Sequence, residues 1–357
     1  MGTKNERIDS LQIVRAFAFA GIFIYHAIRT FPGQGVLYEF ISKGPGPWGV
    51  SVFFVLSGFL MTYSYWNRPP ALSLSSSVSF SIKKIKKLYP LHLIMLIWGS
   101  LYLFLLGESV LVILKRLAIT IPLIQVWFPH DYQAINTVAW YLSVCVFLYL
   151  CFPALLSLIK KNTRRGISIA AIIVIFLLQV LAGYYVYHFT DIDIKWVTYC
   201  HPFYRFGDFA IGGFLASIYI ERRNNGRKHY SAILFSSLEI IAVILNIGVC
   251  MCFTHAPIEY KWFTFTCLFI PTSAILVYVF AQNAGILSKM LTIRPVLWLA
   301  YISPYAFLIH RLVIYYFYTF TKKVLDIEYI NSFLIIMIPF LITVIAVYIY
   351  LAFVYSA

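Results

Sequence analysis

The amino-acid sequence predicts an all-α, polytopic integral membrane protein with about ten transmembrane helices and both termini in the cytoplasm. Of its 357 residues, 61% are hydrophobic and 11% are charged, whereas a typical soluble domain has about 25% charged residues. The apolar residues fall in blocks of roughly 20, the length that crosses a hydrocarbon core as a helix. A soluble fold would have no interior large enough for this much apolar surface.

Ten apolar segments are long enough to cross a bilayer as helices. They cover approximately residues 10–30, 48–66, 88–107, 137–159, 167–188, 201–220, 231–254, 262–281, 296–319 and 332–355. A further apolar segment, 108–128, contains Lys115, Arg116 and Pro122, which favour an interfacial or re-entrant piece over a span. We expect a single transmembrane domain over residues 1–357, with no fused soluble domain.

The charges between these segments predict the orientation. Lys and Arg are in excess near the N-terminus and in the connections 67–87, 160–166, 221–230 and 282–295. The alternate connections, 31–47, 108–136, 189–200, 255–261 and 320–331, are nearly balanced. Because basic connections stay in the cytoplasm, both termini are expected there. The same short basic runs account for the formal charge of +15, so no nucleic-acid partner is expected.

Ionisable side chains inside the predicted spans are functional candidates, because each costs several kcal/mol in hydrocarbon. Arg15 and His26 lie on one face of the first helix, roughly 16 Å apart along its axis. This arrangement suits an anionic donor that enters from the cytoplasm and a proton that a buried histidine removes. His310, in the ninth span, is expected at nearly the same depth as His26, which indicates a shared cavity. The alternative is that Arg15 reaches for the interface and His26 hydrogen-bonds a structural neighbour.

Two other groups of polar residues each allow two interpretations. Arg205 and Asp208 are three residues apart in the sixth span, so they either pair with each other or act on an acceptor and a histidine. A basic cluster precedes the third span and either anchors the protein to anionic lipid or binds the phosphates of a nucleotide-bearing donor. It consists of Lys83, Lys84, Lys86 and Lys87. Charge alone favours the lipid anchor. The six cysteines lack the spacing of a metal site, and no metal is expected.

Six segments follow one another in a recognisable order. They are 7–11 with Arg15 and His26, 48–59 (WGVSVFFVLSGF), the basic cluster ahead of Tyr89 and Pro90, 140–143, 205–212 and 303–310. This order resembles the membrane-bound acyltransferase-3 family, bacterial enzymes that O-acylate envelope and exported glycans, and segment 48–59 is the most specific match. The chain departs from the family pattern at Ala16, where a glycine is usual, and in having lysines where the basic motif has arginines. Lysine keeps the charge but loses bidentate phosphate recognition.

The resemblance implies an acyl-CoA donor, most often acetyl-CoA, used from the cytoplasmic side, and no bound cofactor. It implies a glycan hydroxyl as acceptor, on a polysaccharide or a lipid-linked oligosaccharide, in the plasma (inner) membrane of a bacterium. His26 would be the general base, and Arg15 with the lysine cluster would hold the anionic end of the donor. Ser143, Asp208 and His310 would be further catalytic candidates that line the cavity.

Three other functions are compatible with a basic polytopic protein. A transporter or flippase for a lipid-linked sugar predicts discontinuous helices or internal repeats, and no repeat is evident in the sequence. A glycan polymerase would more often have a large extracytoplasmic loop. A transmembrane carrier that delivers acyl groups to another enzyme shares the chemistry of the resemblance and stays open.

Overall fold

The computed structural model describes residues 7–31, 33–226, 231–327 and 331–356, and every regular element among them is helical. The α-helices are α1 (Ser10–Thr30), α2 (Val36–Lys43), α3 (Pro45–Tyr65), α4 (Leu74–Ile85), α5 (Tyr89–Leu105), α6 (Val110–Thr120), α7 (Trp140–Lys161), α8 (Arg165–Phe189), α9 (Pro202–Asn224), α10 (Ala232–His255), α11 (Lys261–Thr264), α12 (Ile270–Ala281), α13 (Ile286–Leu291), α14 (Arg294–Thr319) and α15 (Ser332–Ser356). Short 3₁₀ turns lie at Gln125–Trp127 and Ile258–Tyr260, and π turns lie at Trp196–Cys200 and Phe320–Val324.

The all-α prediction is confirmed, and each predicted span coincides with a helix or, at 262–281, with α11 and α12. Within the described ranges, seven helices are long and apolar enough to cross a membrane, and the bent pair α4–α5 makes an eighth. Helix α9 is less apolar because Arg205 and Asp208 lie within it, and α12 has only 12 residues. The cytoplasmic placement of the termini stays a prediction of the charge pattern. Residues 1–6, 227–230 and 328–330, which were part of that pattern, lie outside the described residues.

The outer surface of the bundle is apolar. Only 17% of the apolar stretch of α8 is buried, against 72% of the stretch that includes α3. Helix α8 exposes a continuous apolar face that includes Ile173, Val174, Leu177 and Leu181. Faces of this size are rare on soluble proteins, whereas in a bilayer they contact lipid tails and the helix satisfies its own backbone hydrogen bonds. The chain is therefore an integral membrane protein.

Helix α1 lies at the centre of the bundle, and it packs against both α3 and α14. Helix α3 in turn approaches α9 closely through glycines. A Cβ atom at Gly58 of α3 would overlap the carbonyl oxygen of Phe209, and one at Gly212 of α9 would overlap that of Val55. Small residues let helix backbones approach in a membrane, where association depends on packing rather than on the hydrophobic effect. This contact holds α3, which lines the candidate site, in place.

The basic cluster lies at a break between two helices. The sequence predicted a connection over 67–87, and this was wrong for residues 74–85, which form α4 and meet α5 at an angle of 61°. The Ser-rich sequence of α4 did not indicate a helix, because serine is common in loops. The apolar face of α4 nevertheless packs on α7. Phe80 stacks on Phe152 with ring centroids 5.3 Å apart, and the Ser81 hydroxyl donates to the Val146 carbonyl at 3.0 Å. This packing fixes the end of α4, where the basic cluster begins.

Segment 108–128 folds back along α5, as the re-entrant alternative predicted. Helix α6 runs antiparallel to α5, and its last residues reach the first turn of α5. Nε2 of His92 donates to the carbonyl of Thr120 at 2.9 Å, and the Tyr89 hydroxyl donates to the carbonyl of Ile121 at 3.1 Å. These bonds satisfy the carbonyls at the end of α6, which have no partner within the helix. His92, which the sequence left without a role, is thus a structural residue.

We expect Gly212→Ala to destabilise the protein by about 1–3 kcal/mol, because the added methyl group would force α9 away from the backbone of α3. The matched control is Gly248→Ala in α10, where a Cβ atom meets nothing within 4 Å. Thermal unfolding of the two variants in the same detergent is the measurement. Equal melting temperatures for both variants and the wild type would contradict this account of the α3–α9 contact.

Candidate active site

Helices α1 and α14 bring His26 and His310 together. The centroids of the two imidazole rings are 5.2 Å apart, in agreement with the matched depth expected from the sequence. Nδ1 of His310 lies 2.8 Å from the carbonyl oxygen of Phe307 and 3.2 Å from that of Ala306, so this nitrogen is the donor and Nε2 carries the lone pair. Nε2 of His310 and Nδ1 of His26 are both buried and have no hydrogen-bond partner among the described residues.

Arg311, next to His310, connects the two helices, and the sequence analysis did not assign it a role. Its Nη1 donates to the carbonyl oxygen of His26 at 3.2 Å and to the hydroxyl of Thr30 at 2.9 Å. The guanidinium lies 4.1 Å from the ring centroid of Tyr315, a cation–π contact. A charged residue inside a predicted span was the signal that could have identified Arg311.

Two cavities lie near this histidine pair. His26 lines one of them, whereas His310, which was predicted to line the cavity, lines neither. The first, here called the Arg15 cavity, has a volume of about 530 Å³ and is lined by α1, the α4–α5 break, α7 and α14. Its basic lining residues are Arg7, Arg15, Lys84 and Lys87. The second, here called the His26 cavity, has a volume of about 550 Å³. Its basic lining residues, besides His26, are Arg29, Lys43, Lys195 and Arg311. No residue lines both cavities.

An aromatic layer separates the two cavities. Tyr141 lines the Arg15 cavity and its neighbour Trp140 lines the His26 cavity, with ring centroids 6.2 Å apart. Phe307 lies 5.3 Å from Tyr141 and 5.7 Å from His310 between ring centroids. Phe307 of the Arg15 cavity is thus connected to His26 of the other cavity through ring contacts with His310.

Two of the four lysines of the basic cluster line the Arg15 cavity. Lys84 and Lys87 line the cavity, and their ammonium groups lie 4.6 Å from the ring centroid of Tyr65 and 5.5 Å from that of Tyr305, respectively. Lys83 and Lys86 are exposed and do not line it. Arg15 also lines this cavity, and its Nη1 donates to the side-chain oxygen of Gln12 at 3.3 Å. Arg15, Lys84 and Lys87, which were predicted to contact the acyl-CoA donor, therefore line the same cavity.

Arg205 and Asp208 pair with each other. Nη1 of Arg205 lies 2.7 Å from a carboxylate oxygen of Asp208, and both side chains are completely buried. The amide of Gln179 donates to the other carboxylate oxygen of Asp208 at 2.8 Å, and Nε of Arg205 donates to the carbonyl of Tyr199 at 2.7 Å. Neither charged residue lines either cavity. The pair supports the wall of the His26 cavity from behind through Tyr199.

Two other polar residues of the spans make structural contacts. The Ser143 hydroxyl donates to the carbonyl of Leu123, so it holds the re-entrant segment on α7 and does not line either cavity. Glu239, for which the sequence suggested no role, accepts hydrogen bonds from the backbone N–H groups of Gly285, Leu287 and Ser288. It therefore caps the N-terminus of α13. Within the described part of the chain, no three His, Cys, Asp or Glu side chains meet as metal ligands would.

The fold and this site define a polytopic membrane protein with two separate basic cavities, one of which is lined by a histidine that contacts a second histidine. The model of the acyltransferase-3 family, described as an acyltransferase domain, matches residues 8–355, and the chain belongs to this family.

Curated relatives are similar over about half of the chain. Acyltransferase MdmB of Streptomyces mycarofaciens is 31% identical over 185 residues, which are 48% of this chain and 46% of that protein. Nodulation protein 10 of Rhizobium leguminosarum bv. viciae is 26% identical over 198 residues, 48% of this chain and 52% of that protein. Regulator of hypoxia-inducible factor 1 of Caenorhabditis elegans is 25% identical over 232 residues, 55% of this chain and 44% of that protein. The chain thus spans about half the length of the curated relatives it matches. No solved structure matches it.

We expect Asp208→Asn to destabilise the protein by about 3–5 kcal/mol, because the buried cation of Arg205 would lose its counter-charge. The double variant Arg205→Met, Asp208→Leu removes both charges and should recover a large part of this loss. Thermal unfolding in detergent of the wild type, Arg205→Met, Asp208→Leu and the double variant gives the coupling energy. An Asp208→Asn protein that is as stable as the wild type but inactive would instead assign Asp208 a direct role in the reaction.

Proposed function

We propose that this chain is an O-acyltransferase that moves an acetyl group from cytoplasmic acetyl-CoA to a hydroxyl of an envelope or exported glycan. The observation that carries the proposal is that His26 lines one basic cavity and contacts His310, which in turn contacts Phe307 in the lining of the other. A transferase whose two substrates arrive from opposite faces of a membrane requires two such spaces and a reactive group where they meet. Family membership and the relative that is named an acyltransferase support the same activity.

The Arg15 cavity would hold the donor. By the predicted orientation, Arg15 lies at the cytoplasmic end of α1, where the cavity is reached from inside the cell. The phosphates of CoA are anionic, and Arg15, Lys84 and Lys87 offer three cations around one space. The thioester would then extend toward Phe307 and the histidine pair. Lysines bind phosphate as point charges, so the donor is held mainly by charge rather than by bidentate geometry.

His26 would act as the general base. It takes the proton of the acceptor hydroxyl as the hydroxyl oxygen attacks the thioester carbonyl carbon. The new C–O bond forms, the C–S bond breaks, and the proton passes to the sulfur, so that CoA leaves as the free thiol. In this role His26 enters the reaction as a neutral imidazole, whose ring nitrogen accepts the proton.

His310 would be a positioning residue. Its Nδ1 is committed to the carbonyls of Ala306 and Phe307, so its Nε2 can only accept a hydrogen bond. The neighbouring Nδ1 of His26 lacks a partner among the described residues. A hydrogen bond from Nδ1 of His26 to Nε2 of His310 would fix the tautomer in which Nε2 of His26 is the base.

The bacterial relatives support placing the protein in the plasma (inner) membrane of a bacterium, where cytoplasmic acetyl-CoA and exported glycans are both within reach. The acceptor would be a polysaccharide or a lipid-linked oligosaccharide presented in the His26 cavity. In this account Ser143 and Asp208 act through structure and not by contact with substrate.

His26→Ala should lower acceptor-dependent thiol release from acetyl-CoA by about 10²–10⁴-fold, the contribution typical of a positioned general base. The measurement uses protein in nanodiscs, acetyl-CoA and a glycan extract of the cell envelope. His188→Ala, which removes an exposed histidine at the end of α8, is the matched control and should keep wild-type activity. An active His26→Ala protein would refute the assignment of His26 as the general base.

The same assays separate the alternative functions. Acyl transfer across the membrane without any acylated glycan would favour the acyl carrier, and sugar transport without thiol release would favour the transporter.

The double variant Lys84→Gln, Lys87→Gln should raise KM for acetyl-CoA by about tenfold or more, because two charge-assisted contacts to the donor are lost. Lys83→Gln, Lys86→Gln removes the same charge from the same cluster but leaves the cavity lining intact. Steady-state kinetics with varied acetyl-CoA compares the two pairs. An equal rise in KM for both pairs would show that the cluster acts through general charge and would contradict the assignment of Lys84 and Lys87.

A further inference from the structure

The charges around the His26 cavity are unbalanced. No Asp or Glu lines this cavity, and its basic residues come from four parts of the chain. Lys43 is paired with Glu39, whose carboxylate lies 2.5 Å from the ammonium group. Across the described ranges, no carboxylate forms an ion pair with Arg29, Lys195 or Arg311. Three cations that share one concave space therefore lack a counter-charge.

Elsewhere in the bundle the chain supplies acidic partners. Arg116 forms ion pairs with Glu108 and Asp131, at 3.0 and 3.3 Å, and Arg205 is paired with Asp208. A partly buried charge without a partner is costly, so unpaired cations in a cavity indicate a site for an anionic ligand.

The donor does not explain this second group of cations. The phosphates of acetyl-CoA have their own cations in the Arg15 cavity, and the aromatic layer of Tyr141, Trp140 and Phe307 lies between the two spaces. An anion in the His26 cavity must therefore belong to the other substrate.

Arg311 is held in place for such a contact. Its Nη1 donates to the His26 carbonyl and to the Thr30 hydroxyl. The guanidinium lies over the ring of Tyr315. Its Nε is buried and has no hydrogen-bond partner among the described residues. A guanidinium fixed in this way binds an anionic oxygen with little loss of side-chain entropy. Because it is tied to the backbone of His26, an anion bound there would bring a nearby hydroxyl to the imidazole.

We propose that the acceptor is an anionic glycan, which carries a carboxylate or a phosphate group close to the hydroxyl that is acylated. The acidic group lies against Arg311, Lys195 and Arg29, and the sugar rings pack on Trp140, Tyr199 and Tyr315, which line the same cavity. This inference rests on the proposed acyl transfer and specifies its acceptor class. The negative group is either part of the sugar, as in a uronic acid, or part of a phosphate linkage to a lipid carrier.

The test separates the envelope glycan extract by anion exchange into a neutral flow-through and a retained acidic fraction, matched in total hexose. Wild-type protein in nanodiscs should release thiol from acetyl-CoA at least about tenfold faster with the acidic fraction. Reduction of carboxyl groups with carbodiimide and borohydride abolishes this release if the anion is a carboxylate. Mild acid, which cleaves sugar pyrophosphates, abolishes it if the anion is a phosphate.

The charge-reversed variant Lys195→Glu should raise KM for the acidic fraction about tenfold and leave KM for acetyl-CoA unchanged. The control is Lys289→Glu, which reverses an exposed charge on α13 outside both cavities. Lys195→Gln provides a milder second variant, and its unchanged KM for acetyl-CoA verifies the fold. Equal use of the neutral and acidic fractions, or Lys195 variants with wild-type KM for the acceptor, would overturn the inference while acyl transfer stands. No release with either fraction would overturn acyl transfer itself.

Discussion

The packing of α1 against α14 is the contact on which the candidate site depends. Each helix carries one histidine at a similar distance from its N-terminal end, and side-by-side packing places the two rings 5.2 Å apart. Arg311 ties the same pair of helices together through the backbone of His26 and the Thr30 hydroxyl. Phe19 and Phe23 of α1 enclose His310, so the imidazole is buried against aromatic rings rather than in water. Any shift of α1 along α14 would separate the groups that the reaction needs.

Burial of charge explains the arrangement around this contact. A cation inside a low-dielectric helix bundle is stabilised in one of two ways. It either forms an ion pair with a carboxylate, or it lines a cavity that holds water or an anion. Arg205 and Arg116 meet the first condition, and they support the scaffold. Arg15, Lys84 and Arg311 meet the second, and they mark the two cavities. The division between structural and ligand-facing charges thus follows from their surroundings and not from their residue types.

Much of this structure could be predicted from the sequence, because hydrocarbon imposes simple rules. Apolar length predicts helices, and the rise per residue predicts that His26 and His310 share a depth. The contacts that depend on long-range packing could not be predicted. Sequence alone did not separate Lys84 from Lys83, because the face through which α4 packs on α7 decides which of these two neighbours lines the cavity. The sequence also could not show that the Ser143 hydroxyl donates a hydrogen bond to the carbonyl of Leu123, which lies in a different segment of the bundle.

A cryo-electron microscopy structure of the protein with CoA bound in nanodiscs tests the central claim most directly. The account predicts that the phosphates of CoA lie among Arg15, Lys84 and Lys87, and that the sulfur points toward Phe307 and the histidine pair. The His26 cavity would stay free for the acceptor in that complex. Density for CoA in the His26 cavity, or outside both cavities, would contradict the claim that donor and acceptor reach the histidines from opposite sides.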